Sequence, residues 1–409
     1  MSKTAVLLAG QGAFRPGMFA GERSSAELDQ LLDTADATAA EFGRPIVRHH
    51  LLDPATPAAA ELATADPFTL QLLVFTAAVG EYYLAARERT ADVLVGHSLG
   101  ELAALTVAGA FDLVDGFRLV CHRSVALAER ATEPGGMLSL DLPADRTGFV
   151  VAAVGDRRAR VAVLNAPART VVAGPDSALD VVRGVAGALG VRAVRLPAPY
   201  AYHSPGMALA AEQFAEEVKS VRQRPLRLPV YSPLVRGYVE DSDDLGALLV
   251  RHLTTQVDFL AAIRALHAEG VRMVIECGHS GLGKLVEACV PSVRVVASAG
   301  TPEPKDTPAA VAAPLPVAAA ASSVAEVAER LRLLYATVLQ YPVEAVEPEA
   351  DLEADLGIDS LKQAEMLGRV RAEFGLPASA GDGRLIAHAT LAELAGTVTD
   401  ILTAEEVTR

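Results

Sequence analysis

The chain has 409 residues, of which 51% are hydrophobic, and a formal net charge of −15. This length predicts two or three domains, and the composition supplies enough apolar side chains for a large core. The negative charge argues against nucleic acid as a partner, because phosphate binding requires basic patches. We find no apolar run that is long and charge-free enough to span a bilayer, so we also expect no membrane partner.

The N-terminus and the cysteines indicate the cellular compartment. The first residues lack the basic start and the cleavage pattern of a signal peptide. Cys121, Cys277 and Cys289 are too few and too scattered for a disulfide framework or a zinc site. We therefore predict a cytoplasmic protein without a metal site.

Strands and helices alternate in the N-terminal body, which we place at residues 1–300. This alternation predicts an α/β layered fold with parallel strands. The turn Gly10-Gln11-Gly12 directly follows the first strand. The predicted elements are a strand at Ala5–Ala9, a helix at Phe68–Ala86, a strand at Val93–Val95 and a helix at Ser98–Ala108.

Short strand-like runs replace this pattern between about residues 133 and 200. The runs MLSLDL, RVAVLN, TVVAG and RAVRL surround one predicted helix at Ser177–Leu189. Short strands around a helix indicate a small inserted α+β subdomain. A further helix is predicted after the insertion, at Ala208–Val218.

An Ala/Pro-rich segment at residues 301–323 has few charges and no apolar periodicity. Such a composition is typical of a semi-rigid linker. It separates the body from a C-terminal domain, residues 324–409, which holds 16 acidic and 7 basic residues and therefore a net charge of −9. This charge indicates either a solvated surface or a module that docks on basic patches of partner proteins.

The C-terminal domain is predicted to be helical. Apolar residues recur at helical spacing over Val324–Leu339 and again over Leu361–Phe374. Thr390, with Glu393 three residues later, forms a capping box for a third helix at Leu391–Leu402.

The run Gly96-His97-Ser98-Leu99-Gly100 stands between a predicted strand and a predicted helix. A G-x-S-x-G run in this context places the serine on a sharp turn, and its glycines permit close approach of neighbouring backbone. The amide of Leu99 would then face the negative charge that develops on a carbonyl oxygen. We interpret Ser98 as a nucleophile; the alternative is a turn that serves packing alone.

A serine nucleophile requires a base, since its hydroxyl is protonated at neutral pH. The chain contains nine histidines. His97 adjoins Ser98 but is expected to point the other way on the turn. His203, in the loop Tyr200–Met207, is a candidate, although a single histidine in a loop is more often structural.

These motifs together resemble a known family. GQG near the N-terminus, GHSLGE, an arginine after the elbow helix and an HSPGM loop occur in the order found in malonyl-CoA:acyl carrier protein transacylases and polyketide synthase acyltransferase domains. The resemblance covers about residues 3–298. It implies an α/β-hydrolase-like subdomain with an inserted ferredoxin-like subdomain, and an active site in the cleft between them.

The resemblance also implies roles for individual residues. Ser98 would be the nucleophile and His203 the base, and the backbone amides of Gln11 and Leu99 would form the oxyanion hole. In this family a backbone carbonyl orients the base, at a position that is usually Gln or Asn. That position is His252 here.

Arg123 matches the arginine that binds the free carboxylate of the substrate in this family. A guanidinium offers a carboxylate two charge-assisted bonds, and an acyl chain without the carboxylate would leave a buried charge unpaired. Without the resemblance, Arg123 is interpreted as a solvated helix residue.

The resemblance is ambiguous about the acyl group. Leu99 after the serine accompanies malonyl selectivity in the family, whereas Tyr200 and Tyr202, just before His203, match neither the malonyl nor the methylmalonyl form of that motif. The two tyrosines would shape the acyl pocket. Asp66 stands where the family usually has glutamine, and an added carboxylate near the cleft would disfavour a dicarboxylate substrate.

The segment Asp351–Arg371, with its Leu-Gly-Ile-Asp-Ser-Leu run, resembles the acyl carrier domains of polyketide and polyunsaturated fatty acid synthases. This resemblance covers about Val324–Leu402 and implies an all-α domain of three or four helices. Ser360 would carry covalent 4′-phosphopantetheine at a helix N-terminus. The alternative is that Asp359 and Ser360 merely cap a helix.

We therefore predict an acyltransferase that moves an acyl group, of malonyl type, from CoA through an acyl-serine ester to the pantetheine thiol of a carrier domain, in polyketide or fatty-acid-like biosynthesis. The alternatives are a starter-unit or carrier-to-carrier loader of a non-carboxylated acyl group, an editing thioester hydrolase, and a non-enzymatic carrier scaffold.

The predicted partners follow from this reaction. They are malonyl-CoA or a related acyl-CoA, a phosphopantetheinyl transferase, and the carrier domains and ketosynthase of partner synthase proteins. Partner synthase proteins are expected because we find no ketosynthase-like or reductase-like segment in the sequence.

Overall fold

The protein divides into two compact units, Met1–Glu303 and Pro304–Arg409. The unit cores consist of separate sets of buried apolar residues. The predicted linker at 301–323 and the carrier serine, Ser360, lie outside the described residues. The computed structural model describes residues 2–22, 25–87, 89–131, 133–278, 281–298, 324–339, 366, 369–370, 374 and 390–406.

Strands and helices alternate along the first unit, as predicted from its sequence. The strands are β1 (Lys3–Leu8), β2 (Val93–Gly96), β3 (Gly135–Leu140), β4 (Arg160–Ala166), β5 (Arg169–Pro175), β6 (Ala193–Arg195), β7 (Val230–Ser232), β8 (Gly237–Tyr238), β9 (Val257–Asp258), β10 (Val271–Cys277) and β11 (Arg294–Ala297). The helices are α1 (Ala26–Glu41), α2 (Arg48–Leu52), α3 (Ala59–Ala65), α4 (Pro67–Ala86), α5 (Gly100–Val107), α6 (Leu113–Arg130), α7 (Ala144–Val154), α8 (Asp176–Ala188), α9 (Ala208–Val218), α10 (Leu245–Thr254), α11 (Phe259–Ala268) and α12 (Leu282–Cys289).

The larger sheet has the strand order β11-β10-β1-β2-β7-β8. Its pairs are parallel except for β7 with β8. Leu8 pairs with Gly96, so β1 and β2 end at the same edge of the sheet. Loops that follow parallel strands meet at this edge, which brings the Gly10–Gly12 turn beside the serine after β2.

Two glycines let the chain turn sharply after β2. A Cβ on Gly96 would lie 2.2 Å from the Cα of Glu101, and a Cβ on Gly100 would lie 2.1 Å from the carbonyl oxygen of Leu8. Both contacts are with backbone, which cannot move aside as a flexible side chain can. Glycine is therefore required at both positions for α5 to pack on the ends of β1 and β2.

A second, five-stranded sheet has the order β6-β3-β5-β4-β9. The elements from β3 to β6 follow the chain order β-α-β-β-α-β, and their strands pair antiparallel, which is a ferredoxin-like arrangement. The sheet packs on α7 and α8 around a separate apolar core that includes Leu140, Val172 and Leu179. Strand β9, from the main body, adds to its edge in parallel with β4.

Helix α4 is a core helix of the first unit. It contacts α1, α5, α6 and strands of the larger sheet. Its 20 residues are long and apolar enough to cross a membrane, and 89% of its most apolar window is buried inside the protein. The expectation that no apolar run has this length and composition is therefore wrong for α4. Sequence periodicity cannot distinguish a core helix from a membrane span, because a helix buried on all sides is as uniformly apolar as a membrane span.

Two helices are described in the second unit, α13 (Val324–Leu339) and α14 (Leu391–Glu406). They contact each other, and their apolar faces share a core with Met366, Val370 and Phe374. The hydroxyl of Thr390 accepts a hydrogen bond from the amide of Glu393 at 3.3 Å, as predicted for the start of this last helix.

The packing of α5 predicts the effect of a single added methyl group. We expect Gly100→Ala to lower the free energy of unfolding by roughly 3 kcal/mol, because the new Cβ would collide with the carbonyl of Leu8. Urea unfolding followed by circular dichroism measures this change. As a control, Gly148→Ala in α7 meets no atom within 4 Å and is expected to stabilise by about 0.5–1 kcal/mol. Equal unfolding midpoints for Gly100→Ala and the wild type would contradict the packing argument.

Candidate active site

Ser98 lies on the sharp turn between β2 and α5. Its φ is +56°, a left-handed conformation that non-glycine residues rarely adopt. Backbone hydrogen bonds hold the turn on both sides: the amide of His97 donates to Leu8 at 3.0 Å, and the amide of Glu101 donates to the carbonyl of Ser98 at 2.9 Å. Such a conformation persists only where its surroundings enforce it, and it presents the Ser98 hydroxyl away from the sheet.

His203 is within hydrogen-bonding distance of this hydroxyl. The Oγ of Ser98 lies 2.8 Å from Nε2 of His203. His203 also has a positive φ, +59°, and its side chain is buried. The loop around it is closed by the hydroxyl of Ser204, which donates to the carbonyl of Ala201 at 2.7 Å. The structure therefore brings together the two residues predicted as nucleophile and base.

Burial lowers the pKa of His203 well below its ordinary value, because the protonated imidazole would lose its hydration. The neighbouring His252, Arg123 and His97 lower the pKa further, since each carries or can carry positive charge. The neutral imidazole is thus the favoured form, and only this form can accept a proton from Ser98.

His252, on α10, contacts the same site. Its ring packs edge-on against the ring of His203, with ring centres 6.0 Å apart. The backbone of His252 partly offsets the lowered pKa of His203, but Nδ1 of His203 makes no hydrogen bond of ordinary geometry with the described residues. The side chain of His252 points to a residue that the sequence analysis did not single out. Its Nε2 lies 3.0 Å from Oε2 of Glu101, and both side chains are buried.

His97 points away from the hydroxyl, as expected from its place on the turn. Its Nε2 is 2.8 Å from Oδ1 of Asn165 on β4, and its ring packs edge-on against Phe259. Burial lowers the pKa of His97, which keeps this histidine neutral as well. Its contact with Asn165 links the elbow to the small subdomain.

The two predicted oxyanion donors lie at the same edge of the sheet. Leu99 precedes α5, and the turn containing Gln11 packs against it: a Cβ on Gly10 would lie 3.2 Å from the amide nitrogen of Leu99. Neither the Leu99 amide nor the Gln11 amide donates a hydrogen bond to any group in the described part of the chain. The side chain of Gln11 donates to the carbonyl of Pro197 at 2.8 Å.

Arg123, on α6, is buried and has no acidic partner among the described residues. Its guanidinium donates to Oε1 of Gln71 at 2.5 Å and lies 5.1 Å from the centre of the Tyr202 ring. Tyr200 packs edge-on against Tyr202, with ring centres 5.7 Å apart. Burial lowers the pKa of Arg123, because the charged guanidinium loses its hydration. An incoming anion would stabilise this buried cation.

Gln71 was not identified from the sequence, where it appears as one polar residue within the apolar helix α4. It is buried, and its amide also lies 3.4 Å from the side chain of Gln11. A glutamine on a largely apolar helix is the signal that could have revealed it, because a buried amide requires a partner. Asp66, in contrast, caps α4 through Thr69 and lies 3.7 Å from Arg44, so its carboxylate has other partners.

A small pocket lies beside Ser98 and Arg123. Apolar side chains form most of its wall, and polar groups are confined to the elbow, the guanidinium and one imidazole. Its lining residues are Ser98, Leu99, Leu102, Arg123, Phe214, Leu249 and His252. A mainly apolar lining with a few convergent polar groups is typical of small-molecule sites.

Comparison with known families identifies the chain. Residues 24–325 match the family model of the acyl transferase domain, and residues 329–398 match the phosphopantetheine attachment site. The chain therefore belongs to the acyl transferase domain family, and it also contains a carrier domain of the type that bears covalent 4′-phosphopantetheine.

The relatives found are polyketide synthase proteins. The chain is 32% identical over 281 residues to the spectinabilin polyketide synthase system protein NorC of Streptomyces orinoci, and 33% identical over 324 residues to NorB of the same organism. These alignments cover 68% and 75% of this chain but only 12% and 14% of the relatives, so the chain spans a small part of their length.

Solved structures agree with this assignment. The acyltransferase domain from the second module of the salinomycin polyketide synthase has a TM-score of 0.63 and 28% identity, covering 73% of this chain and 69% of that one. The acyl-carrier-protein S-malonyltransferase of Burkholderia pseudomallei 1710b has a TM-score of 0.64 and 26% identity, covering 72% and 96%. The predicted fold class, an α/β body with an inserted ferredoxin-like subdomain followed by a carrier domain, is confirmed.

The lowered pKa of His203 predicts how reactivity depends on pH. We expect the rate at which a fluorophosphonate labels Ser98 to stay high as the pH falls through about 6.5, the ordinary value for histidine, and to decline only at lower pH. The same depressed pKa means that the unfolded chain binds more protons below about pH 6.5, so this group makes the protein less stable as the pH falls there.

Mass spectrometry of the labelled protein at a series of pH values measures the effect, and Ser98→Ala corrects for labelling elsewhere. A midpoint at or above the ordinary histidine value would show that His203 is not the buried neutral base described here.

Proposed function

We propose that the chain is an acyltransferase in which Ser98 takes a malonyl-type acyl group from CoA and passes it to the pantetheine thiol of a carrier domain. The observation that carries this proposal is the 2.8 Å contact between Ser98 Oγ and His203 Nε2, beside a pocket that both Ser98 and Arg123 line. The carrier within the same chain, with Ser360 as its attachment residue, is the nearest acceptor in sequence.

In the first step, His203 accepts the proton of Ser98 while Oγ attacks the thioester carbonyl. The free amides of Leu99 and Gln11 stabilise the oxyanion that forms. The tetrahedral intermediate then expels the CoA thiolate, which takes the proton from His203, and an acyl-Ser98 ester remains.

In the second step, a pantetheine thiol gives its proton to His203 and attacks the ester. Collapse of the second intermediate returns the proton to Ser98 and leaves the acyl group on the carrier. Transfer must outcompete hydrolysis, and the largely apolar wall of the pocket supports this by limiting the water available to the ester.

A carboxylated acyl group is favoured by the state of Arg123. This cation is buried without an acidic partner among the described residues, and its guanidinium keeps donors that Gln71 does not occupy. The Tyr202 ring covers one face of the guanidinium, and the bulk of Leu99 and Tyr202 beside the pocket favours malonyl over acyl groups with an added branch.

The expected partners follow from the two steps. An acyl-CoA supplies the group, a phosphopantetheinyl transferase attaches the arm to Ser360, and carrier domains and a ketosynthase of synthase proteins use the product. The related proteins are polyketide synthases, and this supports an assignment to polyketide biosynthesis.

The role of Arg123 predicts a change in acyl selectivity. We expect Arg123→Ala to reduce acyl-enzyme formation from malonyl-CoA by about a hundredfold or more, because the substrate carboxylate would be buried without a cation. Formation from acetyl-CoA should fall less than about tenfold. Intact-protein mass spectrometry after rapid quenching measures both rates.

Arg130→Ala is the matched control for this experiment. Arg130 lies on the same helix, is exposed and bonds only to Gln213 among the described residues, so its loss should leave both rates unchanged. An unchanged preference for malonyl-CoA in Arg123→Ala would instead favour a loader of non-carboxylated groups.

The two serines predict where the acyl mass appears. When the pantetheinylated full chain is incubated with malonyl-CoA, we expect mass to be gained on Ser98 and on the arm. Ser98→Ala should gain mass on neither, since the arm is loaded through the ester, and Ser360→Ala should gain it on Ser98 alone. Ser220→Ala, which removes an exposed serine, should behave as the wild type.

The same reaction distinguishes transfer from hydrolysis. Release of free malonate with no mass on the arm, or on a carrier added in trans, would identify an editing hydrolase. Loading of the arm in Ser98→Ala at the wild-type rate would contradict the proposed covalent route.

A further inference from the structure

Glu101 is the buried acid nearest to the proposed catalytic residues, and the reaction described above does not use it. Its side chain has no exposed area, and neither carboxylate oxygen has a hydrogen bond of ordinary geometry with any described group. A carboxylate in this condition is stable only if a proton or a cation accompanies it. The ring of His252 is the partner that the structure provides, with Nε2 at 3.0 Å from Oε2.

The two members of this pair are each attached to one half of the proposed catalytic dyad. The amide of Glu101 donates to the carbonyl of Ser98 at 2.9 Å, while the ring of His252 packs edge-on against the ring of His203, with ring centres 6.0 Å apart. With the 2.8 Å contact from His203 to Ser98, these contacts form a closed ring of four residues. The pair thus connects α5, which carries the nucleophile, to α10, which supports the base.

The side chains around the ring are mostly basic. His97, His252 and Arg123 each lie close enough to His203 to lower its pKa, which leaves that imidazole neutral. Glu101 is the one carboxylate that the described residues place in contact with these groups. It contacts His252 and not the base itself, so it acts on His203 only through the intervening residue.

We propose that Glu101 and His252 are a buried positioning pair whose contact holds His203 in register with Ser98. This inference rests on the proposed function of Ser98 and His203, and it assigns Glu101 a role through its contact with His252 and not through contact with substrate. A displacement of the base by about 1 Å is enough to slow a proton transfer by about a hundredfold.

The test uses the full chain with Glu101→Gln, His252→Gln and the double variant, each checked for folding by circular dichroism. Both single variants should slow acyl-enzyme formation from malonyl-CoA by about tenfold to a hundredfold, with the half-saturating concentration unchanged within about twofold. In the double variant, the rate of acyl-enzyme formation should fall by less than the product of the two single-variant reductions, because two amides restore a neutral contact.

A spectroscopic measurement tests the pair without relying on the transferase reaction. In long-range ¹H–¹⁵N spectra of the chain labelled at histidine, His252→Gln assigns the His252 ring signals. Glu101→Gln should then shift the Nε2 signal of His252 and expose its proton to exchange with water. The control is Glu217→Gln, which removes a half-exposed partner from His122 at 3.2 Å and should change the His122 signals alone, with normal acylation.

The outcomes distinguish a failure of the proposed function from a failure of the positioning role. If the wild type forms no acyl-Ser98, the proposed function fails, while the spectra still report whether Glu101 contacts His252. If Glu101→Gln leaves the His252 signals unchanged, or changes them with acylation at the wild-type rate, the positioning role is overturned. If Glu101→Gln does not fold, His252→Gln alone decides: acylation at the wild-type rate overturns the role.

Discussion

The close packing of the elbow against the end of β1 determines the geometry of the whole site. With hydrogen in place of a side chain at Gly100, α5 approaches the carbonyl of Leu8 directly, and the amide of His97 bonds to that same carbonyl at 3.0 Å. Ser98 has no room for an ordinary backbone conformation between these contacts, so it adopts a φ of +56°. Its hydroxyl then points into the cleft, beside the amides that follow both strands and within reach of the histidine loop.

The cleft has the opposite electrostatic character to the protein as a whole. The chain carries a net charge of −15, yet its pocket contains a guanidinium without an acidic partner in the described structure and lies beside several imidazoles. Burial and nearby basic groups lower the pKa of His203, so its imidazole is neutral. The guanidinium of Arg123 is then available to an incoming anion, and the carboxylate of Glu101 lies 3.0 Å from the ring of His252.

The chain combines two parts of one chemical sequence. An acyl transferase domain and a phosphopantetheine attachment site follow each other within 409 residues, whereas the polyketide synthase relatives contain the matching segment as a small part of much longer proteins. The acidic character of the carrier domain suits recognition by basic surfaces.

Much of this architecture could be predicted from short contiguous segments of the sequence. The G-x-S-x-G elbow, the His203 loop, the alternating strands and helices and the carrier motif each depend on neighbours within one turn or one strand, where spacing and residue type specify the chemistry. The contacts of Gln71 with Arg123 and of Glu101 with His252 were not readable in this way, because each joins side chains on two helices far apart in the chain. The uniformly apolar pattern of α4 likewise did not show whether this helix is buried in protein or in a membrane. Sequence periodicity reports which face of an element is buried, but the partner across that face is set by how the layers pack, and that packing is long-range.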